Sequence, residues 1–483
     1  MHHLHTSLLA VVAATLPLTA QNPPQNMTLM ANMTNGAISY ASVWGYTAPD
    51  GREFAVVGAY NGTWIVETTN PANPVTITTI PAGSTSTSNE WREMTSYGNY
   101  IYSVSEAQAG VRVIDMSNPS TPVDKGLVHS ADWRNCHSIH CDPEAGRIYP
   151  CGTNTGMWIL DAAANPLTLP SLGKYGSGNS TYVHETYCRR NKGYFAHVYV
   201  GTLRIANISN PAAITTIATV QTPFQSPLTQ GWTHNAWVTD DDKLMVTTGE
   251  DLNAKFGVYD ITTPATPVLK STYYVAGQIG HDAFGIGRTI FLSYYKDGVH
   301  VLDVSNPTSP KRIAYFDTSN GSWTDPWHGD WGVYPYSDSG IVYLSDIENG
   351  LYVLRMDAGH MNRYGVGTAG ANGVPRIQFD GASPMVGASA LELRLSKLDP
   401  YSPYALVVSS GQASVPFQNI TVHVDLNNAA VLTGTADANG KVTVPLPVPN
   451  DPNLGNGKVY MQLVGTSGGS LTASRGHWFG IVP

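Results

Sequence analysis

The chain has 483 residues, with 26 Lys+Arg against 35 Asp+Glu, a formal net charge of -9 and charges at only 13% of positions. That is about half the usual charged fraction. No basic run breaks the acidic balance, so nucleic acid and anionic lipid, which need clustered Lys and Arg, are not expected partners. The 47 Gly, 32 Pro, 26 Tyr and 11 Trp favour many short strands joined by tight turns over long helices.

Residues 1–20, MHHLHTSLLAVVAATLPLTA, carry an apolar run from Leu8 to Leu16, then Pro17 and the small Ala20. This pattern predicts a secretory signal peptide cleaved near Ala20. No later stretch offers the ~20 apolar residues of a membrane helix. The mature chain is therefore expected to be secreted, extracellular or associated with the cell surface, with no membrane span.

Next comes NMTLMANMT at 26, an alternating strand with no hairpin partner of its own. A repeat follows. An apolar strand ends in Asp or a stand-in and runs into a Ser/Thr-Asn-Pro turn: IVETTNPANP, VIDMSNPSTP, ILDAAANP, RIANISNP, VYDITTPATP and VLDVSNPTSP, with YVLRMD as a seventh copy lacking the turn. The marker positions Glu67, Asp115, Asp161, Asn207, Asp260, Asp303 and Arg355 are 48, 46, 46, 53, 43 and 52 residues apart. A period of this size fits four short strands per unit, the signature of a β-propeller blade. Seven copies predict seven blades over residues 26–357. The seventh stops after its marker strand, and the orphan strand at 26 is expected to supply its missing fourth strand and close the ring.

Export permits disulfides, and Cys136, Cys141, Cys151 and Cys188 fall within 53 positions with no CxxC spacing, which favours local bridges over a zinc site. A hairpin through Asp142–Gly146 would set Cys136 opposite Cys151 and leave Cys141 for Cys188. Beyond Arg355, residues 358–374 are Gly-rich and read as a linker. From 375 to 483, strands such as ALELRLSKL, NITVHVDL and GKVYMQLVG recur every ~10 to 15 positions and predict a β-sandwich. The overall expectation is an all-β chain.

Several long motifs over residues 26–357, SVWGYTAPDGREFAVVGAYNGTWIVETTNPANP, NEWREM, YSVSEAQAGVRVIDMSNP, CHSIH and WGVYPYSDSGIVYLSDIENGLYVL, resemble the choice-of-anchor B family of secreted proteins built from LVIVD-type propeller repeats. The resemblance implies a propeller joined to a variable C-terminal anchoring or sorting segment, and it implies no defined activity. The final GHWFGIVP has neither a hydrophobic helix with a basic flank nor a sortase-type motif, so covalent anchoring is not expected.

Stacking the repeats on their markers puts His137, His184, His234, His281 and His328 in one column, with Arg92 in the second repeat and Ala41 or Ser42 in the first. Nine histidines lie between residues 37 and 357, and this column holds five of them. First strands of propeller blades run beside the central channel, so the column predicts imidazoles converging on the axis, where copper, zinc or iron could bind. Glu93, Glu185, Asp282 and Asp330 follow one or two places later and could complete or orient the ligand set. Arg92 would instead welcome a carboxylate or phosphate. The competing reading makes each His a lock between neighbouring blades.

Other patterns are weaker. No GxSxG, P-loop, HExxH or EF-hand loop occurs. Asp240, Asp241, Asp242 and Asp251 form an acidic turn that could hold calcium. Trp91, Trp133, Trp232, Trp237, Trp323, Trp327 and Trp331 fall near the same blade ends; most are expected to pack between blades, and an exposed few would make a carbohydrate or peptide platform. The leading functional expectation is extracellular recognition or scaffolding, with a protein, peptide or polysaccharide ligand at the channel mouth. The alternative is an exported metal-dependent oxidoreductase or hydrolase using the histidine column.

Overall fold

The computed structural model describes residues 23–83, 91–176, 181–223, 232–252, 254–319 and 325–483. The expected signal peptide lies outside the described residues, as does Trp323. Six consecutive stretches, 40–81, 92–128, 138–175, 186–221, 233–273 and 283–316, each fold into a four-stranded antiparallel sheet with its strands in sequence order. A further four-stranded sheet joins Asp330–Tyr334, Ile341–Asp346 and Gly350–Met356 to Met27–Met33 from the other end of the chain. These are called the first to seventh sheets, in chain order of their first strands.

The seven first strands are Tyr40–Thr47, Arg92–Tyr97, Ser138–Asp142, Thr186–Arg189, Thr233–Val238, Ala283–Ile286 and Asp330–Tyr334. Each packs against the next, and Asp330–Tyr334 returns to Tyr40–Thr47. The sheets therefore surround a common axis, and the fold is a β-propeller.

The marker repeat explains why each sheet turns where it does. Six of the seven markers, Glu67 to Asp303, are the last residue of a third strand. Beyond the strand, the side chain accepts a hydrogen bond from the backbone two residues on: Asp115 from Ser117 (2.9 Å), Asn207 from Ser209 (3.0 Å), Asp260 from Thr262 (3.0 Å) and Asp303 from Ser305 (2.9 Å). Asp and Asn form such turns because their short oxygen acceptors reach their own backbone. Inner strands such as Glu53–Ala59 are buried along their whole length because neighbouring sheets cover both faces, whereas the outer strand Val75–Pro81 is largely exposed. The core lies between sheets. Ile65, Phe54 and Val56 of the first sheet, for example, meet Met94, Ile101 and Ile114 of the second.

The strand Met27–Met33 pairs antiparallel with Gly350–Met356, Met27 opposite Met356 and Met33 opposite Leu351. Asn26 and Asn32 add side-chain bonds to the Ile313 carbonyl (2.7 Å) and to the carbonyls of Asn349 (2.9 Å) and Leu351 (3.1 Å). The two ends of the propeller are thus held in one sheet.

Two expectations need correction. All four cysteines are free and buried. Cys141 packs in the core shared with the second sheet and Cys188 in the core shared with the fourth, so they lie on opposite faces of the third sheet. Cys136 and Cys151 divide the same way, and the two sulfurs face the Ser138 carbonyl, at 3.3 and 3.5 Å. Residues 358–374 are not a free linker. Asn362–Tyr364 is an edge strand on Gly476–Gly480, Thr368 bridges Ala473, and Arg363 binds Asp338 of the seventh sheet.

The C-terminal strands form a six-stranded sheet, a three-stranded sheet and a hairpin. The larger sheets share one core of Ile377, Leu393 and Leu395 against Leu406, Leu463 and Phe479. Ser383 ties this part to the propeller through Asp303 (2.9 Å) and Thr289 (2.7 Å).

Candidate metal centre

The histidines sit where the chain enters its first strands. His137 and His184 immediately precede or closely approach the strands Ser138–Asp142 and Thr186–Arg189, His234 is the second residue of Thr233–Val238, and His281 lies two residues before Ala283–Ile286. Because the first strands all run alongside the axis, equal register becomes proximity. His137 and His184 lie 4.0 Å apart between ring centroids, His184 and His234 4.6 Å, and His234 and His281 4.0 Å. All four are buried. The arc continues through Trp331, 4.2 Å from His281, to Trp91, stacked on Trp331 at 4.4 Å.

The structure brings the four imidazoles together with three of the expected carboxylates. One nitrogen from each of His137, His184 and His234 lie within 4.8 Å of one another. The same limit holds for His234, His281 and Asp282, and for Glu93, Glu185 and Asp282. Ligand atoms around an ion at about 2.1 Å are at most about 4.2 Å apart, so closing any of these sets onto an ion takes shifts of under about 1 Å. The Nε2 atoms of His137 and His184, both ring nitrogens of His234 and of His281, one Glu93 oxygen and one Asp282 oxygen are buried without a hydrogen-bond partner. Buried polar atoms are ordinarily satisfied. Buried nitrogens and oxygens left without partners along the axis are what a cation would complete.

Electrostatics agrees. Burial pushes the Glu93 carboxyl up to about 7, with Asp282 adding to the rise. Burial and then Asp282 and Glu93 hold Glu185 well above the usual carboxylate range. Burial, reinforced by its imidazole neighbours, keeps His184 well below the usual range, and His234 is lowered by burial and His281. For His281 the opposing effect of burial is outweighed by Asp282 and Glu250, which raise it to about 9. For Asp282 the cost of burial is overcome by His281 and His234, which hold the carboxyl low. Beside the ionised Asp282, the raised Glu93 and Glu185 are relieved by taking up protons or a cation.

Three expected members lie elsewhere. His328 is apart from the cluster, at 2.5 Å from Glu348, and Trp331 occupies its place at the axis. His328 stands as far before its strand as His281 and His184 do before theirs, but the pairing of the seventh first strand is irregular between Asp330 and Gly332, and Trp331 at that irregularity is the residue beside His281. Arg92 is buried with all three guanidinium nitrogens unpartnered, and burial followed by Arg112 lowers it to about 10. It shares the face of its strand that Ser96 turns toward Trp44 of the first sheet, away from the imidazoles. Asp330 stands opposite Asp346 in the seventh sheet, and burial and that neighbour raise its carboxyl well above the usual range. The acidic turn is neutralised by arginines: Asp240 and Asp242 face Arg189 at 3.5 Å, Asp242 meets Arg190 at 2.7 Å, and Asp241 meets Arg288.

Sequence reasoning missed Glu106 and Glu250. Glu106 bonds His137 Nδ1 at 2.8 Å, and Glu250 stands 3.7 and 3.8 Å from the Nε2 atoms of His234 and His281 while accepting from the Tyr295 hydroxyl at 2.5 Å. Both directly follow a second strand, Tyr100–Ser105 and Leu244–Gly249. A column drawn on second strands would have aligned them.

Beyond the carboxylates, the far ends of the first strands carry aromatic rings. Trp44 contacts Tyr334 (5.1 Å) and Phe284 (6.3 Å), and Trp237 contacts Tyr187 (4.1 Å), Phe284 (5.7 Å) and Tyr336 (5.7 Å). Below this collar a cavity of about 350 Å³ opens, lined by Trp44, Tyr187, Trp237 and Tyr336 with His140 and Arg189.

The LVIVD repeat matches residues 93–129 and 294–318, which lie in the second and sixth sheets. The chain is a β-propeller with LVIVD repeats. Among solved structures it is similar to the Cps50 (Swd1) β-propeller domain of Myceliophteria thermophila, with 9% identity and a TM-score of 0.47 over 68% of this chain and 98% of that one. No curated protein matches it.

Proposed function

We propose that this chain is an exported, seven-bladed propeller of the choice-of-anchor B type, with a β-sandwich module at its C-terminal side, and that it holds a divalent transition-metal ion among the axial imidazoles. The observation that carries this reading is the group of unpartnered nitrogens on His137, His184, His234 and His281, buried within reach of one another. Imidazole suits copper, zinc and iron. Glu106, hydrogen-bonded to His137, orients a ligand in the way carboxylates commonly do beside metal-bound His. Held there by His137, His184, His234 and His281, such an ion would supply Lewis-acid or redox chemistry to an exported metal-dependent enzyme.

Elemental mass spectrometry of the mature protein beside a His184→Ala/His234→Ala double variant tests this. Stoichiometric metal in the wild type and its loss in the variant are expected. A protein that stays metal-free after incubation with copper, zinc and iron refutes the reading.

The aromatic cavity favours a second role, recognition of an extracellular peptide or polysaccharide at the opposite mouth. Binding of cellohexaose or a tyrosine-rich peptide, lost in Trp44→Ala, would support it, and no binding to either would remove its basis.

A further inference from the structure

The donors on the axis are too many, and too extended, for one ion. The set His137, His184, His234 and the set Glu93, Glu185, Asp282 have no residue in common, yet each brings three ligand atoms within 4.8 Å of one another. A third set, His234, His281 and Asp282, shares one member with each. Its His234 Nδ1 is 3.4 Å from Asp282 Oδ1, and its His281 Nδ1 is 3.6 Å from Asp282 Oδ2. The three sets therefore lie in series rather than around one point. An ion takes about four to six donors at roughly 2.0–2.2 Å, and one ion placed among the imidazoles leaves the carboxylate set unused.

The two end sets also differ in chemistry. Three imidazoles suit a borderline ion such as zinc or copper, while three carboxylates suit a hard ion such as manganese or magnesium. They meet at the His234–Asp282 contact. We propose that the axis holds two different ions side by side, a borderline ion on His137, His184 and His234 and a hard divalent ion on Glu93, Glu185 and Asp282, with His281 between them. This rests on the metal reading above and adds the number of ions and the class of each.

The test uses the mature, metal-stripped protein and two probes, Zn2+ and Mn2+. Zinc is expected to load to one equivalent. Manganese, followed by the paramagnetic resonance of the free ion, is expected to bind the zinc-loaded protein at one further equivalent without releasing zinc. In Glu93→Gln/Glu185→Gln, manganese binding should weaken at least tenfold while zinc stays at one equivalent. A wild-type total of one equivalent, or zinc displaced by manganese, overturns the two-ion proposal and leaves the single-metal reading standing. Failure of the stripped protein to take up either ion removes both. The wild-type stoichiometry decides the matter even if the double variant does not fold.

Discussion

Removal of residues 24–34 takes the outer strand from the seventh sheet and leaves Gly350–Met356 as an open edge. Met27, 5% exposed, loses its place in the core it shares with Val342, Leu354 and Met356; burial of such a side chain is worth about 2–5 kcal/mol. The side-chain bonds of Asn26 and Asn32 contribute about 1 kcal/mol each net. The combined loss is roughly 5 kcal/mol before the unpaired backbone is counted. An unfolding entropy of about 2.1 cal/mol/K per residue over roughly 330 residues converts this to a fall in Tm of about 7 °C. Met27→Ala alone should lower Tm by about 4 °C on the same scale, which separates packing from strand pairing. Circular dichroism melts of the full chain, the truncated chain and Met27→Ala measure both. If truncation moves the midpoint by less than about 1 °C, the two ends of the propeller are not held together in the manner described, and the argument from register fails.

Four thiols per chain should react with Ellman's reagent after denaturation without reductant, and none in the native protein, because all four cysteines are free and buried; two or fewer in the denatured chain would mean a bridge exists. Burial lowers His197 and His360 to about 4, against about 6.5 when unfolded. The unfolded chain takes up these protons first, so the stability due to keeping both rings neutral is full above pH 6.5 and is lost as pH falls toward 4, at about 3 kcal/mol each. Urea midpoints at pH 7.0 and 4.5 should show the loss, and His360→Gln should make the pH dependence shallower; an unchanged dependence would mean His360 is not the titrating group. Glu106→Gln should weaken zinc binding about 10–100-fold by removing the negative charge beside His137 Nδ1, as read by chelator competition, and an unaltered affinity would leave the Glu106 charge without a role.

The repeat was legible because each marker does local chemistry: Asp115, Asn207, Asp260 and Asp303 bond their own turns, and a local rule leaves a regular trace in sequence. The four axial histidines were legible for the same reason, since register along parallel first strands becomes distance. His328 shows the limit. Its segment carries the same residue type at the same distance before the strand, but the strand pairing is irregular between Asp330 and Gly332, and Trp331 rather than His328 reaches the axis. Glu106 and Glu250 were hidden because they come from second strands, whose alignment the marker does not reveal. Cys136 and Cys151 looked like hairpin partners in spacing, but the side chains of the third sheet divide between two neighbouring cores, which no count of positions records.

The aromatic collar makes the two ends of the axis unequal. Trp44, Phe284, Trp237 and Tyr336 pack ring against ring between the carboxylates and the far cavity. A hydrated ion would not cross a plug of packed rings, so an ion held as proposed among the imidazoles would not exchange through the far cavity. A guest in the far cavity touches only the underside of the collar. None of the four axial histidines lines that cavity, so a guest there would leave the imidazoles untouched, and one propeller could offer two separate sites along its axis.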